Sequence, residues 1–305
     1  MKHHSRGEGG NPSRRRFLRQ IGLLAGASVV GERSAAHAAS LLQSPHLTDE
    51  QICKRKFDIA VRESLSRRPI GEVMVAIGGS FLGTPYKART LEVEGPERLV
   101  VNLRALDCVT FVENTLALSR CVKLGATSFD AYLDQLRLIR YRGGRIDGYQ
   151  SRLHYFSEWI VDNERKGIVK DVTLEIGGIP DDRPINFMST HPDAYRQLSD
   201  PAVLESIRRR EEELNKGTRY YLPTQALRDN PAVLEPGDIL GITTRIGGLD
   251  IAHTGMVAIG NGVVRYLHAP LSSGTVQLSE QSLPEYLQGY RNHTGVMVAR
   301  PLEPV

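Results

Sequence analysis

Two apolar runs near the carboxyl end of the chain, residues 251–259 and 263–268, are joined through Asn261-Gly262. Asn-Gly between two such runs is a strong signal of a β-hairpin with a two-residue turn. Further strands are expected at residues 239–243, 275–278 and 294–299. Because these strands follow a long helical region, the sequence predicts an α+β fold, with helices packed on a C-terminal antiparallel sheet.

The hairpin turn decides where two histidines lie. With a two-residue turn, Gly255 is opposite His268, and His253 is a diagonal neighbour of His268, with backbones roughly 7–8 Å apart. The same face carries Val257 and Tyr266 and offers an apolar surface on which a helix can pack. A three-residue turn would place the histidines on opposite faces, because side chains alternate along a strand. The shorter turn therefore predicts that the two imidazoles meet.

The preceding part of the chain carries helix signals. Thr48 and Gln51 form a capping-box pattern that opens a helix to about residue 65. Further helices are expected at residues 71–81, 108–125, 128–139, 159–163 and 201–216, an extended segment at 169–176 and irregular structure at 181–193. Residues 141–155, rich in glycine and aromatic side chains, predict a surface loop that carries binding residues. No internal boundary is evident, so residues 39–305 are predicted to form one domain.

Cys108 follows Asp107, a residue type that caps helix N-termini, and precedes an apolar pattern of helical spacing. A thiol in the first turn of a helix lies near unpaired N–H groups and the positive end of the helix dipole, so we expect it to ionise easily. The alternative is that Cys108 is a small buried residue without chemistry.

Together these residues predict a nucleophilic site. His253 would take the proton of Cys108 and later protonate the leaving amine, while His268 would hold the ring of His253 in a useful tautomer. N–H groups at the start of the Cys108 helix, with Tyr86, would stabilise the oxyanion. For each histidine taken alone, the alternative is an ordinary core or surface role.

The first 38 residues predict a leader. Three consecutive arginines (14–16) followed by Phe17-Leu18 resemble a twin-arginine export signal, and Ala36-His37-Ala38 is a cleavage pattern. The apolar run between them is too short to span a bilayer. The leader carries more net positive charge than the whole chain, so nothing basic remains for nucleic-acid binding. We expect export by the twin-arginine machinery, cleavage near Ala38 and a periplasmic protein.

Three cysteines, Cys53, Cys108 and Cys121, leave at least one unpaired in an oxidising compartment. Cys108 and Cys121 lie roughly 20 Å apart along one helix, which excludes a disulfide between them. A Cys53–Cys121 disulfide and two separate buried thiols both stay open.

Several segments carry a family resemblance. Residues 107–111 (DCVTF), 236–240 (PGDIL), 253–257 (HTGMV) and 267–269 (LHA) resemble, in order, the signature of NlpC-type papain-like cell-wall hydrolases. Residues 81–86 (FLGTPY), 151–155 (SRLHY) and 248–253 (GLDIAH) resemble more closely the cysteine-dependent N-acetylmuramoyl-L-alanine amidase-like family, formerly a domain of unknown function.

The resemblance implies a papain-like core without a metal or cofactor, and cleavage of muropeptides between N-acetylmuramic acid and L-alanine. It implies Cys108 as nucleophile, His253 as base and His268 as third residue, with Tyr86 and Asp107 in support. Relatives with this core cut the γ-D-glutamyl–diaminopimelate bond instead, which stays as an alternative.

Substrate contacts are expected around the glycine-rich segment. Arg142, Arg145 and Arg152 would bind the carboxylates of stem peptides, since guanidinium groups bind carboxylates bidentately. Tyr155 and Trp159 would pack on sugar or acyl surface, and the other candidate contacts are His154 and Asp250. The alternative for each is an ordinary packing or solvated role.

Two rival functions come from other classes. A zinc amidase would use His154, His253 and His268 as ligands, although their spacing matches no zinc motif and the role of Cys108 would be unexplained. A non-catalytic muropeptide-binding protein would keep the fold without turnover.

Overall fold

A computed structural model describes residues 47–305, so the predicted leader and its cleavage site lie outside the described residues. The helices are α1 (Asp49–Arg62), α2 (Ile70–Gly79), α3 (Cys108–Leu124), α4 (Phe129–Arg140), α5 (Phe156–Arg165), α6 (Phe187–Thr190), α7 (Pro201–Lys216), α8 (Thr224–Asp229) and α9 (Leu283–Gln288). None of these helices has the length and apolar character that a bilayer span requires.

The strands of the described residues are β1 (Val169–Asp171), β2 (Ile179–Asp181), β3 (Arg219–Pro223), β4 (Ile239–Thr244), β5 (Ile251–Gly260), β6 (Val263–His268), β7 (Gln277–Leu278) and β8 (His293–Pro301). They pair antiparallel in the order β2-β3-β8-β4-β5-β6-β7, and β1 also pairs with β8. The predicted α+β class with an antiparallel sheet is confirmed.

Alternate residues of the central strands point to opposite sides of the sheet. Both sides are buried, each in its own core. Ile239, Met256 and Met297 pack with residues of α1 to α5 in one core. Leu240, Val257 and Val298 pack in a second core that includes residues of α8 and α9. The face predicted to accept a helix is therefore covered by α8 and α9, whereas α3 packs on the opposite face.

Helix α3 lies in the middle of the first core, and its residues from Thr110 to Val122 are all buried. Its N-cap is Asp107, whose carboxylate accepts the N–H of Thr110 at 2.8 Å, while the Thr110 hydroxyl accepts the N–H of Asp107 at 2.9 Å. Such a reciprocal pair fixes the residue at which a helix begins. The cap therefore holds Cys108 in the first turn.

Local sequence signals predicted the ends of several helices to within two residues of their observed positions. The Thr48–Gln51 capping box is present, and Asp200 caps α7 with Pro201 at its first position.

Two predictions about secondary structure were wrong. The extended segment ends at Asp171, and residues 141–155 form short 3₁₀ turns with many buried side chains rather than a surface loop. Strand β3 and helices α6, α8 and α9 were not predicted.

The three cysteines are free thiols, and Cys53 and Cys121 are both buried. Of the two alternatives that the sequence left open, the separate buried thiols are therefore the one observed.

Candidate functional site

A cavity of about 210 Å³ lies beside the first turn of α3. Cys108 and His253 both line it, together with apolar residues that include Leu153, Phe156, Trp159, Met188 and Ile251. A second cavity of about 480 Å³ adjoins the first and shares part of its lining, namely Val109, Glu113, Leu153, His154 and Tyr195. The two cavities form one cleft, and the thiol lies in its wall.

The two predicted histidines meet. Gly255 pairs with His268 across β5 and β6, which confirms the predicted register. Nε2 of His253 lies 2.8 Å from Nδ1 of His268, a hydrogen-bond distance. His268 is fully buried and His253 is half-buried in the cavity wall. The hydrogen bond occupies one ring nitrogen of His253 and leaves Nδ1 for a partner in the cavity.

The absence of a side chain at Gly255 leaves the space that the His253–His268 pair occupies. A Cβ atom at position 255 would lie 2.7 Å from Cβ of His268 and 2.8 Å from the ring of Tyr266. Neither distance is compatible with a side chain, so glycine is required while His268 keeps its place. The Tyr266 ring packs on His268 with centroids 4.6 Å apart, and Tyr286 lies 5.0 Å from it. These rings restrict the imidazole of His268 to one orientation.

The protonation of the thiol differs from the prediction. Burial raises the pKa of Cys108 to about 12, with a further increase from the neighbouring Asp107 carboxylate. Backbone hydrogen bonds lower the pKa of the thiol, from Thr254 on β5 and from Val109 and Cys108 at the N-terminus of α3, but they do not offset the burial. Burial also lowers the pKa of His253 to about 3. The unliganded site therefore holds a neutral thiol and a neutral imidazole.

This protonation state predicts how fast Cys108 reacts with an alkylating agent. The thiolate is the reactive species, and its fraction rises about tenfold per pH unit below the pKa. We expect iodoacetamide to modify Cys108 about tenfold faster per pH unit between about pH 6 and pH 9, measured by intact-protein mass spectrometry. A Cys108→Ala variant identifies the site. A rate that stays constant over this range would indicate a thiolate–imidazolium pair and contradict the assignment.

Tyr86 and Asp107 lie near the thiol. A short bridge pairs Tyr86 with Leu106, next to the start of α3. Burial raises the pKa of the Tyr86 phenol and the nearby Asp107 carboxylate raises it further, so the phenol stays protonated as a hydrogen-bond donor. Asp107 serves as the N-cap of α3, as the sequence predicted.

The three arginines proposed for carboxylate binding have other surroundings. Arg142 forms an ion pair with Glu158 at 2.5 Å, and Arg152 is buried and forms one with Glu92 at 2.5 Å. Arg145 is exposed and lines neither of the two cavities. Arg142 and Arg152 thus already hold a carboxylate of the protein, and only Arg152 of the three lines the second cavity, so the role of these arginines in binding substrate carboxylates stays a prediction.

The remaining candidates line the first cavity, where most of them have structural partners. Nε2 of His154 lies 2.9 Å from the carbonyl of Tyr149, and burial lowers the pKa of His154 to about 3. The Tyr155 hydroxyl donates to Glu211 at 2.7 Å, and Asp250 accepts the N–H of Ser157 at 2.8 Å. Trp159 stacks on Phe156 with centroids 5.5 Å apart and 6° between planes. Hydrogen bonds and ring stacking therefore hold these side chains in the wall of the cavity.

Sequence reasoning missed much of the cavity lining. Phe156, Met188, Tyr195 and Glu113 come from four separate segments, and no local pattern in the sequence marks them as neighbours. Glu113 lies within the predicted Cys108 helix, and its side chain is buried and bonded to Arg140 at 2.7 Å. Among residues 47–305, no group of three or more His, Cys, Asp or Glu side chains is arranged to hold a metal ion.

Comparison with known proteins gives a consistent assignment. A family model described as AmiA-like, N-acetylmuramoyl-L-alanine amidase-like, matches residues 76–296. An N-acetylmuramoyl-L-alanine amidase from Bacteroides uniformis shares 37% identity over 76% of this chain and 99% of its own, with a TM-score of 0.73. A Bacteroides fragilis protein described as a candidate xylanase shares 37% identity over 73% and 98%, with a TM-score of 0.70. A Legionella pneumophila protein at 22% identity and a TM-score of 0.61 shares the fold. No curated protein gave a significant match.

Proposed function

The chain belongs to the N-acetylmuramoyl-L-alanine amidase-like (AmiA-like) family, and we propose from this premise that it is a cysteine amidase acting on muropeptides. The bond cut is the amide between the lactyl group of N-acetylmuramic acid and L-alanine. The observation that carries the proposal is the 2.8 Å contact between His253 and His268 in the wall of the cavity that Cys108 lines.

Because Cys108 and His253 are both neutral in the unliganded site, the thiol proton is transferred during the attack on the substrate and not before it. His253 accepts the thiol proton at Nδ1 while the sulfur of Cys108 attacks the lactyl carbonyl, so a C–S bond forms as the S–H bond breaks. For Nδ1 to accept, the ring proton of His253 must be on Nε2, from which it is donated to Nδ1 of His268. His268 is thus a positioning residue that selects the tautomer.

Charge then develops on the carbonyl oxygen. Backbone N–H groups at the start of α3 and the Tyr86 hydroxyl supply donors for this oxyanion. Collapse of the intermediate breaks the C–N bond, and the imidazolium of His253 gives its proton to the L-alanine nitrogen, which releases the peptide as an amine. Water, deprotonated by His253, then hydrolyses the thioester and frees Cys108.

The arrangement of the elements supports a papain-like, NlpC-type core. A cysteine at the N-terminus of a buried helix lines the same cavity as a histidine on an antiparallel sheet, and the third residue follows on the neighbouring strand. The chain order, cysteine before histidine, agrees with this assignment. We propose in addition that residues 1–38 form a twin-arginine leader and residues 39–305 a periplasmic domain. Amino-terminal sequencing of the secreted protein tests this, and a start near residue 39 is expected.

A xylanase activity has less support. Glycoside hydrolases use two carboxyl groups that flank the scissile bond. The acidic residues that line the first cavity are Glu113, which is bonded to Arg140, and Asp250, which accepts hydrogen bonds from Ser157. Both carboxylates already hold structural partners, whereas the Cys108–His253 pair does not need a second carboxylate.

The proposed activity is tested by identifying the products of muropeptide hydrolysis. Purified disaccharide-peptide muropeptides are incubated with the wild type and with Cys108→Ala, and the products are identified by mass spectrometry. The proposal expects free disaccharide and intact peptide from the wild type only. Fragments cut within the peptide would instead assign the γ-D-glutamyl–diaminopimelate endopeptidase, and binding without any product would assign the non-catalytic muropeptide-binding protein.

A further inference from the structure

The second cavity adjoins the proposed reaction site and has a different character from the first. The first cavity is lined largely by aromatic and aliphatic side chains. The second is lined by four arginines, namely Arg89, Arg140, Arg152 and Arg196. A substrate that spans both cavities would therefore have an uncharged part at one end and an anionic part at the other.

Two of these arginines are neutralised by the protein. Arg140 forms a buried ion pair with Glu113 at 2.7 Å, and Arg152 forms one with Glu92 at 2.5 Å. The third acidic residue of the lining, Asp107, is engaged as the N-cap of α3, and burial raises its pKa. After these pairings, Arg89 and Arg196 are the arginines of the cavity lining that have no buried carboxylate partner among the described residues.

Reciprocal contacts hold these two groups at the cavity. Arg89 donates to the carbonyl of Ala194 at 3.3 Å, and Arg196 donates to the carbonyl of Val93, so each arginine is anchored on the loop that carries the other. Arg89 also has a positive φ of 60°, a conformation that a non-glycine residue adopts at an energetic cost. The only carboxylate of the described residues within 4.0 Å of either group is Glu94, which is 3.9 Å from Arg196 and almost fully exposed.

We propose that Arg89 and Arg196 bind a carboxylate of the stem peptide, and that they thereby set the direction in which substrate lies in the cleft. This inference rests on the proposed function. The sugar of a muropeptide is uncharged and its peptide carries the carboxylates, so the sugar lies in the aromatic cavity and the peptide in the arginine-lined one. Val109, which lines both cavities, follows Cys108 directly, so the scissile amide lies where the two cavities join.

The test measures binding rather than turnover, so it can be read even if the proposed hydrolysis is not observed. Isothermal titration uses the Cys108→Ala protein and the dipeptide L-alanyl-D-glutamate, compared with the same dipeptide carrying both carboxyl groups as amides. We expect Arg89→Gln and Arg196→Gln each to weaken binding of the dipeptide about tenfold, the value typical of a lost charge-assisted hydrogen bond. Binding of the amidated dipeptide should not change.

The matched control is Arg228→Gln, which removes an exposed arginine of α8 that lines neither cavity and should leave both dipeptides unaffected. Lysine variants at positions 89 and 196 keep the charge and should retain part of the preference for the carboxylate form. The ratio of the two dissociation constants separates carboxylate recognition from a structural effect. A damaged loop would weaken the binding of both dipeptides by the same factor and leave this ratio unchanged. Equal binding of the two dipeptides by the Cys108→Ala protein, or an unchanged ratio in the glutamine variants, overturns the proposal.

Discussion

Replacing Cys108 with alanine is expected to lower kcat/KM for muropeptide hydrolysis by about three to six orders of magnitude, as for other enzymes that lose their nucleophile. The reason is that no other thiol can take its place. Cys53 and Cys121 are buried away from the cavity. The measurement is an initial-rate assay of peptide release from a purified muropeptide.

The control for this variant is Cys53→Ala, which removes a buried thiol of the same size and should keep the wild-type rate. His253→Ala should lose activity to a similar extent as Cys108→Ala. Since the two groups act as a unit, the double variant should be no slower than either single one. Residual activity of Cys108→Ala above a few per cent of the wild type would remove the basis for cysteine catalysis.

The second large effect concerns stability. Glu113 and Arg140 form an ion pair at 2.7 Å whose side chains are 2% and 1% exposed. Removing one partner of such a pair leaves a buried charge without compensation, which costs about 3–5 kcal/mol. We therefore expect Glu113→Ala to lower the free energy of unfolding by about this amount, measured by urea denaturation.

The matched control lies on the helix that carries Arg140. Asp134 and Arg137 form an exposed ion pair at 3.0 Å, and pairs of this kind contribute less than about 1 kcal/mol. Asp134→Ala should therefore change the free energy of unfolding by less than about 1 kcal/mol. If Glu113→Ala had an effect as small as this, the buried pair would not be a main stabilising contact between α3 and α4.

The parts of the site that the sequence predicted depend on short-range rules. Asn261-Gly262 determines a two-residue turn, and this turn alone sets the register that brings His253 to His268. In the same way, Asp107 predicted the start of the Cys108 helix because its residue type favours the N-cap position, which it occupies. Each of these inferences needed only neighbouring residues or one strand pair.

The parts that were missed depend on contacts between distant segments. The helix N-terminus does lower the pKa of Cys108, yet burial raises it more, and burial is decided by residues from the whole cleft. The ion pair of Arg152 was not predicted because its partner, Glu92, lies 60 residues away and carries no sequence signal. The composition of residues 141–155 resembled a loop, although tertiary packing buries Tyr149 and Leu153.

The resting state of Cys108 has a consequence for its chemical lifetime. Hydrogen peroxide and disulfides react with thiolates far faster than with thiols, and oxidation beyond the sulfenic acid is essentially irreversible. With its pKa raised to about 12, the empty site keeps this sulfur in the slow-reacting form. In the proposed mechanism the proton leaves the sulfur only while the sulfur attacks a bound carbonyl, so we expect the unliganded protein to react slowly with hydrogen peroxide at Cys108.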